Sequence, residues 1–204
     1  MTDGPGTEGG ADDGTGAERR RPVAPYIVLA VALVVGLMFV VLASSDKASN
    51  QESAATPLLG KAAPNVAGPT IDGGTFDLSS RRGNWVTLNF FNTTCVPCVN
   101  EHPELVKFAQ QQSALGNGSQ LVTVVWNQSG DPARTFFAEN GGGWPAVVDT
   151  DGQIAFDYAV AQVPETWLID PSGRVRAHYI SQITADGLSA EIQQLRELDT
   201  AASG

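Results

Sequence analysis

Two cysteines, two histidines and two methionines are all the sulfur and imidazole this 204-residue chain carries. Two cysteines cannot staple a disulfide scaffold or build an all-cysteine zinc site. Basic residues are scarce too: 12 Lys+Arg stand against 22 Asp+Glu, a formal charge of −10. Without a basic face there is nothing to displace counterions from a phosphate backbone, which excludes nucleic acid as a main partner. Charged residues reach only 17% and hydrophobic ones 42%, so neither a polyampholyte tail nor a polytopic membrane protein fits.

What is present falls into blocks. Residues 1–25 open with a Gly-rich, acidic stretch that buries too little apolar surface to offset its ordering entropy, and a disordered cytoplasmic tail is expected. Arg19-Arg20-Arg21 then precedes Tyr26 to Ala43, 18 residues without a charge. At about 1.5 Å per residue the run reaches roughly 27 Å, close to the hydrocarbon thickness of a bilayer. Arginines on its N-terminal side orient it with the tail in the cytoplasm and the rest outside. A cleaved signal peptide competes, because Val41-Leu42-Ala43 offers small-residue cleavage chemistry, but the length of the run and of the preceding tail favour an uncleaved transmembrane anchor over 26–43. Residues 44–59 read as a flexible linker rich in Ser, Ala, Asn and Gln. Residues 60–204 form one net-acidic extracytoplasmic domain of ordinary size.

Within that domain, Trp85 to Phe91 (WVTLNFF) predicts a buried strand and Pro97 to Gln112 a helix, with Val99, His102, Leu105, Val106 and Ala109 mostly on one face. Leu121 to Trp126 predicts a second buried strand. Asp131-Pro132 opens a helix to about Asn140, Asp as cap and Pro in the first turn. Thr166 to Ile169 and Val175 to Ile180 predict strands joined by the turn Asp170 to Gly173, and a helix over about 185–198 closes the chain. Strand-helix-strand-helix implies a parallel crossover, and the order βαβ then ββα is the outline of a thioredoxin-like α/β fold, a central mixed sheet flanked by helices.

The two cysteines lie in Cys95-Val-Pro-Cys98, at the predicted start of a helix. Exchange needs a thiolate that attacks a disulfide and a second thiol that resolves the mixed disulfide. At the helix start the macrodipole and unpaired N–H groups favour the Cys95 anion. Cys98 lies one turn inward, and Pro97 has no N–H to lose in a first turn. A zinc site starting at the cysteines with His102 is the competing reading, but only His178 remains as a usual further ligand and four are needed. No metal is expected. Asp149 to Gly152 looks like a fragment of a calcium loop without its remaining ligands and reads as a turn. The four Trp read as core or rim aromatics, and His178 as structural.

Gly60 to Pro64 (GKAAP), Asn89-Phe90-Phe91, the cysteine motif followed by Glu101, Pro103 and Leu105, and then Val163 to Asp170 (VPETWLID) with Gly173-Arg174-Val175 together resemble the membrane-anchored thioredoxins of the ResA, TlpA and CcmG/DsbE kind. The resemblance runs over about residues 60–198. It implies an enzyme that reduces disulfides outside the cytoplasmic membrane, notably the haem-site disulfides of apocytochrome c, with no cofactor beyond the Cys95-Cys98 disulfide. It also implies a membrane thiol carrier of the CcdA or DsbD type as electron donor, and a monomer is expected. Glu101 is the carboxylate this family supplies for proton exchange with the second thiol, the competing assignment being a solvated helix-surface Glu. Val163-Pro164 is implied to be a cis peptide placed against Cys95, where Val163, Pro164, Thr94 and Pro97 frame the substrate groove. Two departures stand out: Thr94 occupies the place where most members carry Trp, and Asn89 aligns with the buried Asp of thioredoxin itself.

Other functions remain in competition. An oxidase or isomerase for secreted proteins differs from a reductant in redox potential. A thiol peroxidase would want Pro and Thr seven and three residues before its cysteine, where this chain has Leu88 and Asn92. A haem or metal chaperone would use the cysteines as ligands and not turn over.

Overall fold

The computed structural model describes residues 29, 31–38 and 53–202. Leu29 and residues 31–38 are helical with exposed apolar side chains. Among the described residues no helix is long and apolar enough to cross a membrane. The expected tail, both ends of the expected anchor and most of the expected linker lie outside the described residues.

From residue 53 the chain builds β1 (Ala67–Pro69), β2 (Thr75–Asp77), a 3-10 turn (Leu78–Arg81), β3 (Val86–Phe91), α1 (Val96–Ser113), β4 (Gln120–Trp126), α2 (Gly130–Asn140), β5 (Ala146–Asp149), α3 (Gln153–Asp157), β6 (Glu165–Ile169), β7 (Val175–Ile180) and α4 (Ala185–Ala202). Five strands form one sheet in the order β5-β4-β3-β6-β7, β3 lying parallel to β4 and antiparallel to β6. This is the expected mixed sheet. β3 is buried at all six positions, which its run of β-branched and aromatic residues permits.

Side chains alternate across the sheet. Leu88, Phe90, Val122, Val124 and Trp167 join Val66 and Phe76 of the N-terminal hairpin and Tyr158 after α3 in one cluster. Leu105 and Phe108 of α1 and Leu188 and Ile192 of α4 pack together in a second. Phe91, Cys98, Val125 and Phe137 of α2 make a third, so the buried cysteine belongs to the core.

Some expectations need correcting. The cap of α2 is Ser129; Asp131 sits in the first turn and pairs with Arg134 at 2.5 Å instead. Val99 is exposed although its spacing placed it with the buried residues; Cys98, Glu101 and His102 face inward instead. Residues 53–61, before β1, are hydrogen-bonded to β7. His178 N–H donates to Ser53 Oγ at 3.1 Å and Ala54 N–H to His178 O at 2.6 Å. Gly60 N–H donates to Val175 O at 2.8 Å and Val175 N–H to Lys61 O at 2.9 Å. Across the sheet, Ile71 N–H donates to Ala146 O of β5 at 2.9 Å.

Candidate active site

The loop leaving β3 is bolted in place before it reaches the cysteines. Asn92 Oδ1 accepts from Thr94 N–H at 2.9 Å and from Thr94 Oγ1 at 2.8 Å, while Asn92 Nδ2 donates to Trp126 O at 3.0 Å. Thr93 N–H donates to Gln128 Oε1 at 3.1 Å. Short polar side chains competing for local backbone groups stop the strand and set up a helix start.

Cys95 is the N-cap of α1, and its sulfur accepts from Cys98 N–H at 3.2 Å. The two cysteines form a disulfide with Cα atoms 5.2 Å apart, inside the usual range. Cys95 is half-buried and Cys98 has no exposure, so an incoming sulfur reaches only Cys95. The Val163 carbonyl oxygen lies 3.3 Å from Cys95 Sγ, and Val163-Pro164 is cis. Thr94 and Pro97 are exposed beside the disulfide, and Pro97 O accepts from Gln182 Nε2 at 3.2 Å. The fold thus brings Thr94, Cys95, Pro97, Cys98, Val163 and Pro164 to one end of the sheet.

Glu101, one turn beyond Cys98, is 1% exposed and is not on the solvated surface of the helix. Its Oε1 accepts from Asn89 Nδ2 at 2.8 Å and its Oε2 from Ile183 N–H at 2.8 Å. Burial pushes its carboxyl up to about 7, against the lowering pull of those two donors. A carboxyl so raised takes up and releases its proton near neutral pH.

Several neighbours were given no part in the site by the sequence. Asn89 donates to Thr166 Oγ1 at 3.0 Å as well as to Glu101; the available signal was one Asn inside an otherwise buried strand, where a polar side chain must find partners. Glu165 fixes the loop that carries Val163. Its Oε1 accepts from Ala161 N–H at 3.2 Å, and its Oε2 lies 2.7 Å from His178 Nε2. His178 in turn stacks on Trp167 at 3.7 Å between ring centroids, so its reading as structural agrees with its surroundings. His102 Nε2 lies 2.6 Å from the Gly141 carbonyl in a box of Phe91, Phe136, Phe137 and Trp144. Among the described residues no three His, Cys, Asp or Glu side chains group to hold a metal. Asp149 closes its turn by accepting from Ile154 and Ala155 N–H at 3.1 and 3.0 Å.

Comparison with known proteins agrees with this geometry. Residues 59–178 match the model of the AhpC/TSA family. The chain is 28% identical to the thiol:disulfide interchange protein HelX of Rhodobacter capsulatus over 178 residues, 86% of this chain and 96% of the relative. It is 31% identical to the thiol:disulfide interchange protein DsbE of Xylella fastidiosa over 156 residues, 74% and 75% of the two chains. With the thiol-disulfide oxidoreductase ResA of Bacillus subtilis it shares 34% over 116 residues, 57% and 64%. A crystal structure of a DsbE-type interchange protein from Chlorobium tepidum superposes with a TM-score of 0.59 at 30% identity, covering 68% of this chain and 96% of that one. A half-buried cysteine bonded to a fully buried one at a helix start, on a fold and sequence shared with these enzymes, makes this chain a thioredoxin-like member of the AhpC/TSA family and a thiol-disulfide oxidoreductase of the HelX, ResA and DsbE type.

Proposed function

We propose that the domain is held outside the cytoplasmic membrane and works as a reductant of the haem-site disulfides of apocytochrome c, recharged by a membrane thiol carrier of the CcdA or DsbD type. The observation that carries the reading is the buried Glu101 beside the fully buried Cys98. Reduction of a substrate starts with the Cys95 thiolate attacking one substrate sulfur and expelling the other. Cys98 then loses its proton to Glu101 and attacks Cys95, so the Cys95-Cys98 bond forms, the mixed disulfide breaks, and the substrate leaves with both electrons. The Cys98 thiol is shut away from water, and a carboxyl of near-neutral proton affinity is the group able to accept that proton. Val163 O at 3.3 Å from Cys95 Sγ, with exposed Thr94, Val96 and Pro97 around it, supports a groove for an extended protein segment. Thr94 in place of a Trp leaves the approach to Cys95 more open.

Resemblance to the anchored thioredoxins and the 18 uncharged residues of 26–43 support the tethered location. Tethering raises the effective concentration of domain and carrier for one another. Protease added to spheroplasts is expected to remove the domain and leave a small membrane-bound fragment; a mature chain starting at Ser44 would show cleavage instead.

Direction of electron flow is tested by potential and phenotype. A dithiol well below about −200 mV reduces, while one near about −120 mV oxidises. The expected value lies on the reducing side. Deletion is expected to deplete covalent c-type haem, with partial rescue by external small thiols. Normal cytochrome c together with misfolded secreted disulfide proteins would assign the domain to the oxidase or isomerase class.

A further inference from the structure

Asn89 is wholly buried on β3, and its two polar atoms are treated unequally. Nδ2 donates to Glu101 Oε1 at 2.8 Å and to Thr166 Oγ1 at 3.0 Å. Oδ1 is buried without a hydrogen-bond partner. A buried polar atom left alone costs on the order of 1–3 kcal/mol, and a turned amide would leave Nδ2 alone in the same place, so the state of the neighbouring carboxyl decides between the two orientations. In the arrangement seen, Glu101 receives two donors, Asn89 Nδ2 and Ile183 N–H, and gives none, which suits a carboxylate. Once protonated, the same carboxyl carries an O–H that needs an acceptor. A half-turn of the Asn89 amide brings Oδ1 to the place of Nδ2. Thr166 accommodates either orientation, because a hydroxyl accepts from Nδ2 in the first and donates to Oδ1 in the second.

We propose that Asn89 is a reversible amide partner of Glu101, donating Nδ2–H to the ionised carboxylate and turning its Oδ1 to accept the O–H of the protonated acid. Asn89 is thus a positioning residue that acts through Glu101, and the inference rests on the assignment of Glu101 to proton exchange with Cys98. The amide turns when the Cys98 proton passes to the carboxyl and turns back when that proton leaves. No other ionised group is required for this. Besides Cys98 and Glu101, α1 carries the titratable or charged side chains His102, Glu104 and Lys107, β7 carries Arg176, His178 and Tyr179, and α4 carries Asp186, Glu191, Arg196, Glu197 and Asp199. The Glu104 carboxylate is engaged by Ala185 N–H at 2.8 Å and Asp186 by Lys107 at 2.8 Å. Burial pushes the Tyr179 hydroxyl well above the ordinary phenol range, which keeps it neutral. Glu165 and His178 project from the opposite face of the sheet, as strand alternation from Thr166 and Tyr179 dictates.

The test uses the full chain in mild detergent, with ¹⁵N-labelled Asn and ¹³C-labelled Glu, followed by NMR across pH 5 to 9. The Asn89 side-chain amide signals are expected to move with the same midpoint as the Glu101 carboxyl carbon, and to be pH-invariant in Glu101→Gln. Asn89→Leu removes the donor to the anion and should raise the Glu101 midpoint by roughly one unit, a ~10-fold tighter proton. The alkaline limb of the exchange pH profile should shift by the same amount. Asn89 signals that ignore the Glu101 titration overturn the proposal, even if Asn89→Leu does not fold. Failure of the parent reading looks different: Asn89 and Glu101 still titrate together, while Glu101→Gln leaves the pH profile of exchange unchanged.

Discussion

Cys98→Ser is expected to accumulate stable mixed disulfides with its protein substrates, and Cys95→Ser to accumulate none. Both variants should lose catalysed exchange by roughly 10³-fold or more, and the double variant should be no slower than Cys95→Ser alone, because residues that act as one unit are not additive. The asymmetry follows from burial. Cys95 is half-exposed at the helix start with Cys98 N–H on its sulfur at 3.2 Å, whereas Cys98 is sealed among Phe91, Val125 and Phe137. Only the outer sulfur can meet a partner, and only the inner one can release it. Trapping by both serine variants, read on non-reducing gels with alkylated samples, would reverse or dissolve this division.

Glu101→Gln carries the second large effect, on stability as well as rate. The native carboxyl is raised to about 7 from 4.5, so between those values the unfolded chain has ionised Glu101 and the folded chain has not. The folded state then binds more protons, and stability falls as pH rises through this window and levels off above it. A shift of that size corresponds to about 3 kcal/mol at most. Glu101→Gln, a mimic of the protonated acid, should therefore flatten the decline and melt higher than the parent at pH 8 but not at pH 4.5. Denaturant melts of the oxidised protein at the two pH values check it. A parent whose stability does not fall across this window would contradict the raised carboxyl. The same variant should remove the near-neutral limb from the pH dependence of exchange.

The strands that hold the site were readable from sequence because burial on both faces writes itself as an unbroken apolar run, as in WVTLNFF and LVTVVW. Both cysteines, Glu101 and the Val163-Pro164 pair were readable for another reason: they sit in short motifs whose spacing is local. Shorter pieces left no such trace. β1 and β2 have three residues each and β5 has four, too few to show a period of two, and α3 has five residues, less than two turns. The hold on Glu101 was hidden differently. One of its two donors is the backbone N–H of Ile183, 82 residues away, and a backbone donor has no residue type to read. Ser129 was passed over as cap of α2 because Asp131-Pro132 is the stronger local signal; in the fold Arg134 claims that carboxylate.

The hydrogen bonds that tie residues 53–61 to β7 and Ile71 to β5 have a consequence for how copies of this protein coexist. β5 and β7 are the outer strands of the sheet, and bare outer strands present rows of N–H and C=O groups on which another chain can template itself. Here one side is met by Ser53, Ala54, Gly60 and Lys61, and the other by Ile71. Both belong to the stretch of chain that precedes β3. The segment leading into the domain therefore guards it against edge-to-edge aggregation. A domain shortened to begin at Ala63 would keep its disulfide and core yet display β7 as an open template.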